Sequence, residues 1–143
     1  MQGGRYGLMN NEKSSMAGDA LEFIELQQRD ARMSPVNIER TQVSDRVVFF
    51  VSGRMDAENA PQFEQQCKAS IAEGKTSLVV DLGELTYVSS MGLRSFISVA
   101  KAVQEKGGAL RICRLSGLVK QVFEITGLLG SFTVYESVEA ALI

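Results

Sequence analysis

Residues 79–110 read VVDLGELTYVSSMGLRSFISVAKAVQEKGGAL, and three elements follow one another along them. Thr76 to Leu82 opens the series as a continuous apolar run, the pattern of a strand buried in a partly parallel sheet. A short loop through Thr86, Tyr87 and Val88 leads to a helix expected from about Ser90 to Glu105. Its spacing puts Leu93, Phe96, Ile97, Ala100 and Val103 on the core face and turns Arg94, Ser98, Lys101 and Glu105 away. Gly107 and Gly108 stop the helix, and Ala109 to Leu115 is the next strand.

The flanks repeat this grammar. Asn37 to Val43 and Val47 to Val51 read as two strands of a hairpin turned at Ser44-Asp45-Arg46. Ser52 to Asp56 breaks the second run. Asn59 is then placed to cap a helix, with Pro61 in its first turn and Gln62 at capping-box spacing. Phe63, Cys67 and Ile71 form the buried stripe of that helix, and Gly74 ends it. Downstream, a helix over Gly117 to Thr126 turns Val119, Val122 and Phe123 inward; a strand over Ser131 to Tyr135 and a closing helix over Glu136 to Leu142 complete the chain. Right-handed crossovers between such units give an α/β fold, a mixed sheet of about five strands covered by about four helices.

Residues 1–35 differ from the rest. They are rich in Gly, Asn, Ser and Met, and they are expected to be a flexible N-terminal extension holding at most one short helix. That helix would run from Asp19 to Arg32, with Leu21, Ile24 and Leu26 apolar among charges. Met16 and Met33 are alternative starts. The folded domain is expected to occupy residues 36–143.

Composition narrows the function. In 143 residues, Leu, Ile, Val and Phe make up about 29%, above the roughly 20% below which disorder is the default. Fifteen basic residues face 17 acidic ones, without the basic surplus of a nucleic-acid binder. The absence of histidine removes Ser-His-Asp and Cys-His nucleophiles and His-ligated zinc. Cys67 and Cys113 are too few for a disulfide framework and read as core thiols in a reducing cytoplasm. No apolar run approaches the roughly 18 residues of a membrane span, and nothing resembles a P-loop. No cofactor, metal or enzymatic activity is expected.

Ser89 and Ser90 fall where the second helix begins. A serine there either caps the helix, its hydroxyl satisfying an unpaired backbone N–H, or accepts a phosphate. A helix N-terminus favours the phosphate with free N–H groups and a positive dipole end, and the added charge would repel a docked partner. Spacing alone leaves both readings open.

The 79–110 stretch resembles the signature of STAS domains, the fold of bacterial anti-sigma factor antagonists. That signature is a hydrophobic strand, an Asp-Leu pair, then Asp-Ser-x-Gly-Leu opening a helix that ends near Gly-Gly. VSGRMDAENAPQFE, residues 51–64, resembles a second family segment, Gly-x-Leu-Asp-Ala-x-Asn-Ala-Pro-x-Leu-Glu. The resemblance covers about residues 36 to 143. It implies that Ser90 is the phosphoacceptor, Gly92 the glycine two residues later and Leu93 the leucine anchoring the helix; Asp56 matches the acidic residue of the upstream loop. It further implies an antagonist that, unphosphorylated, binds an anti-sigma factor that is also a GHKL-type serine kinase, releasing a sigma factor. Phosphorylation breaks the complex, and a PPM-type, metal-dependent serine phosphatase restores it. The chain departs from the pattern at Ser89, where the family has Asp, and at Met91, where it has a small residue. Ser89 either caps the helix in place of that carboxylate or serves as a second acceptor. Asp56, Tyr87, Ser89, Ser90, Met91, Gly92, Arg94 and Ser98 are the expected partner-binding residues, with Ser95 and Lys101 on the same docking or solvated face. The alternative is a STAS subunit that is never phosphorylated, with a structural role in a transporter or stress-signalling assembly.

Overall fold

A computed structural model describes residues 35–143. The expected extension, its short helix and the alternative starts lie outside the described residues. Within them the elements run β1 (Asn37–Val43), β2 (Arg46–Met55), α1 (Ala60–Ala72), β3 (Ser77–Val88), α2 (Ser90–Glu105), β4 (Ala109–Cys113), α3 (Gly117–Ile125), a 3-10 turn (Leu128–Ser131), β5 (Thr133–Tyr135) and α4 (Val138–Leu142). The five strands form one sheet in sequence order. β1 pairs antiparallel with β2, and every later pairing is parallel, so the mixed α/β sheet expected from the sequence is present.

Alternation along the strands sorts side chains onto two faces. Val47, Phe49 and Val51 of β2 and Leu78, Val80 and Leu82 of β3 point to the face covered by α1, α2 and α3. Three aromatic contacts tie those helices together: Phe63 to Phe96 at 4.8 Å, Phe96 to Phe123 at 5.6 Å and Phe123 to Phe132 at 6.0 Å. Val48, Val79 and Cys113 point to the opposite face, where Ala141 of α4 covers them. Both cysteines are buried, and burial pushes the Cys113 thiol up to about 11.

Four sequence expectations change. First, β2 and β3 both continue past their expected ends, through the Ser52–Asp56 break and the Thr86–Val88 loop, and stay paired to Met55 and Val88. The register slips between Phe50 and Ser52 and again between Gly53 and Arg54, so two bulges absorb residues that looked like strand breakers. Gly53, at φ 88°, supplies backbone that an L side chain rarely adopts. Second, Ile97 is exposed (38%), whereas Ser95 and Val99 are buried at 3% and 0%. α2 packs against both the sheet and the neighbouring α1, so its buried stripe turns toward α1, where small Ser95 fits and its hydroxyl donates to the Ala60 carbonyl at 3.4 Å. Third, Asn59 does not cap with its side chain. Its Oδ1 instead accepts from the Asp56 amide at 2.9 Å, and its Nδ2 donates to the Arg54 carbonyl at 2.8 Å. Fourth, the residues before β5 coil into the 3-10 turn, and that strand begins at Thr133 rather than Ser131.

At the first bulge, opposite Phe50, Asp81 is 3% exposed. Its carboxylate accepts from the Gly83 amide at 2.8 Å and from Arg114 Nε at 3.0 Å. Arg114 has φ 59°, which returns its side chain across the sheet end, and its guanidinium fills the space a Cβ on Gly83 would need. Replacing Asp81 strands the part-buried Gly83 amide and frees the guanidinium. Asp81→Ala is therefore expected to lose about 1–3 kcal/mol of stability, read from urea unfolding midpoints; an unchanged midpoint would contradict this role.

Candidate functional site

The parallel pairing of β2 and β3 carries both chains out of the sheet at the same edge. Met55 and Val88 are opposite each other, and the next amide, that of Ser89, donates to the Met55 carbonyl at 2.9 Å. The two signature segments therefore meet: Asp56 follows Met55 as Ser89 follows Val88.

On the α1 side, Asp56 is structural. Its Oδ1 accepts from the amides of Glu58 at 3.0 Å and Asn59 at 3.2 Å, and its carbonyl accepts from the Ala60 amide at 2.9 Å. This Asx turn starts α1 in place of a side-chain cap at Asn59. On the α2 side, Ser89 has extended backbone (φ −87°, ψ 173°), and its hydroxyl accepts from the Gly92 amide at 3.2 Å. Ser89 is thus the N-cap, the position the sequence left open. Ser90 is the first residue of the helix and exposed; among the described residues its hydroxyl has no hydrogen-bond partner.

Gly92 is buried against this junction. A Cβ there would lie 2.7 Å from Val88 Cγ2 and 3.1 Å from Met55 Sδ, so the helix can start this close to the strand ends only on glycine. Leu93 is buried below it, the anchor of the first turn.

The remaining expected residues divide. Met91 is 41% exposed and Arg94 is exposed, and both flank a groove of about 400 Å³ between α1 and α2. Pro61 and Glu64 form its α1 wall; Ile97 and Lys101 extend the α2 wall. Ser98 reaches into the groove but is half-buried and donates to Glu64 Oε2 at 2.9 Å. Glu64 also pairs with Lys68 at 2.7 Å, and this ammonium, then the Ser98 hydroxyl, holds its carboxyl below the usual carboxylate range. Ser95, placed on the docking face by sequence, is buried and donates to the Met91 carbonyl at 3.2 Å. Tyr87 is half-buried on the strand, with the Arg54 guanidinium 3.7 Å from its ring centroid.

Sequence reasoning missed Glu64, Ile97 and the Arg54–Tyr87 pair. The Glu64–Lys68 spacing of four was a visible helix pairing. Nothing in the sequence signals the Arg54–Tyr87 stack, because it depends on the register slip. Among the described residues no group of three or more His, Cys, Asp or Glu is placed to hold a metal, and no helix is long and apolar enough to cross a membrane.

The fold and this strand-end junction define a small α/β domain with a mixed five-stranded sheet, and comparison with known proteins specifies which. The STAS domain family model matches residues 37–141, and the chain belongs to that family. BtrV of Bordetella bronchiseptica, a candidate anti-sigma factor antagonist by name, is 38% identical over 99 residues, 69% of this chain and 85% of its own. An anti-sigma-B factor antagonist of Staphylococcus aureus is 30% identical over 104 residues, 73% of this chain and 96% of its own. Among solved structures, Bacillus SpoIIAA in its phosphorylated form superposes with a TM-score of 0.62 at 19% identity, covering 74% of this chain and 96% of its own, a likeness of fold.

The junction makes three stability predictions, measured by urea unfolding. Ser89→Ala should lose about 1 kcal/mol with the cap, and Gly92→Ala about 1–3 kcal/mol from overpacking. Ser90→Ala should stay within about 0.5 kcal/mol of the parent. A destabilised Ser90→Ala protein would show that this hydroxyl is part of the fold.

Proposed function

We propose that this chain is an anti-sigma factor antagonist controlled by phosphorylation of Ser90. The observation that carries the reading is the division of labour at the start of α2. Ser89 holds the cap, which leaves the Ser90 hydroxyl exposed and unengaged next to Met91, a lining residue of the α1–α2 groove. The names of the relatives support an anti-sigma factor as the partner. A structural neighbour known in a phosphorylated form supports the compatibility of the fold with phosphate.

The unmodified chain docks its groove on an anti-sigma factor that is also a GHKL-type serine kinase, with exposed Met91 and Ile97 as the apolar contacts. The kinase moves the γ-phosphoryl group of ATP to Ser90 Oγ and leaves ADP. At the first helical residue the phosphate meets free backbone N–H groups and the positive end of the helix dipole, so the fold tolerates it. Its charge of about −1.5 to −2 at neutral pH then opposes the docked surface and breaks the complex. Hydrolysis by a PPM-type phosphatase returns the serine and inorganic phosphate. The chain is substrate and switch in this cycle and catalyses no step of it.

The alternative reading, a STAS subunit that is never phosphorylated, draws on Ser89 standing where the family has Asp. The Ser89 hydroxyl accepts from the amide three residues on, as an Asp at an N-cap can, so the exchange keeps the helix start and removes one negative charge beside the acceptor. That exchange leaves room for the static role, and the exposed, unengaged Ser90 hydroxyl favours the switch.

The test is a pull-down from native lysate with the parent chain, Ser90→Ala and Ser90→Asp, together with intact-mass analysis after ATP addition. The parent and Ser90→Ala are expected to retain a GHKL-type kinase, Ser90→Asp to lose it, and only the parent to gain one phosphate. Retention of the same partners by all three, with no phosphate gained, would favour the structural subunit.

A further inference from the structure

Arg94 stands four residues after Ser90 on α2, and residues at that spacing are neighbours on a helix surface. Both side chains are exposed. Arg94 meets only the Met91 thioether, at 3.9 Å, and has no carboxylate partner among the described residues. The surrounding groups leave it that way. The first turn of α2 carries no acidic residue, and the residue before Ser90 is a serine. Across the groove Glu64 is already engaged by Lys68 and Ser98. On the loop before α1, the Asp56 carboxylate accepts from two backbone amides. Lys101, the other cation on this wall, lies nearly two turns further along the helix.

We propose that Arg94 is the built-in counter-ion of a phosphate on Ser90, so that phosphorylation withdraws this guanidinium from the docking surface. The proposal deepens the reading of Ser90 as acceptor and rests on it. The planar guanidinium can donate two parallel hydrogen bonds to phosphate oxygens, which a point-charge ammonium cannot. In the unmodified chain Arg94 borders the groove beside Met91 and is available to a partner. In the phosphorylated chain it is occupied within its own helical turn. The switch then has two parts, an added negative charge and a removed positive one, and neither needs the backbone to move. Arg94 acts here as a positioning residue for the phosphate.

The test places phosphoserine at position 90 during translation of the full chain, so no kinase is needed, and titrates the phosphate by phosphorus NMR. Parent, Arg94→Gln and Lys101→Gln forms are compared. The second ionisation of the phosphate, near 6 without a partner, should lie roughly half a unit lower in the parent than in Arg94→Gln, because the cation favours the dianion. Lys101→Gln should titrate like the parent. Equal values in parent and Arg94→Gln would overturn the proposal, as would an equal shift from Lys101→Gln, which would mark a general field rather than a pair. If native lysate and ATP add no phosphate to Ser90 while the phosphorus shift is present, the acceptor reading fails and the ion pair stands.

Discussion

Met55 and Val88 are the last paired residues of β2 and β3, and the Ser89 amide closes the ladder by donating to the Met55 carbonyl at 2.9 Å. Because this pairing is parallel, both chains leave the sheet in the same direction and begin their helices side by side. The Asx turn at Asp56 starts α1, the Ser89 hydroxyl starts α2, and Gly92 lets the second helix sit directly on the strand ends. Were the pairing to stop at the first bulge, Ser90 would lie on a loop of undefined direction. Carried through to Val88, it holds one hydroxyl outward at a rigid helix start.

The rest of the molecule keeps that platform still. The phenyl rings of Phe63, Phe96 and Phe123 join α1, α2 and α3 across the inner face, each fully buried. At the sheet end, the buried Asp81 carboxylate fixes both the bulge at Gly83 and the Arg114 side chain. A site on rigid elements suits the proposed switch, since a covalent charge would then be felt at the proposed docking surface rather than dissipated by loop motion.

The architecture was legible because the apolar periods are strong: the 3.6-residue stripe of α1 and the continuous run of β3 admit few alternatives. Ser90 was legible as a candidate, and Ser89 only as an ambiguity. What could not be read shares one cause, dependence on contacts distant in sequence. Ser52–Asp56 looks like a break and Thr86–Val88 like a loop until a parallel neighbour draws them into bulged strands. Ile97 and Ser95 exchange places because α1 decides which way the stripe of α2 turns. Asn59 carries a good capping side chain, yet the loop geometry turns it back to Arg54 and Asp56 and leaves the first turn to the Asx motif. The Arg54–Tyr87 stack exists only after both register slips.

The central claim is that a phosphate on Ser90 changes the charge of the surface and leaves the helix start intact. Amide hydrogen exchange at Ser89 and Leu93 tests it most directly, since these amides donate to the Met55 and Ser89 carbonyls at 2.9 Å each. With phosphoserine at position 90, both should keep the protection they have in the unmodified chain. Exchange of either amide at the rate of an unprotected backbone would mean that phosphate melts the first turn, and the account of a switch without backbone movement would be wrong.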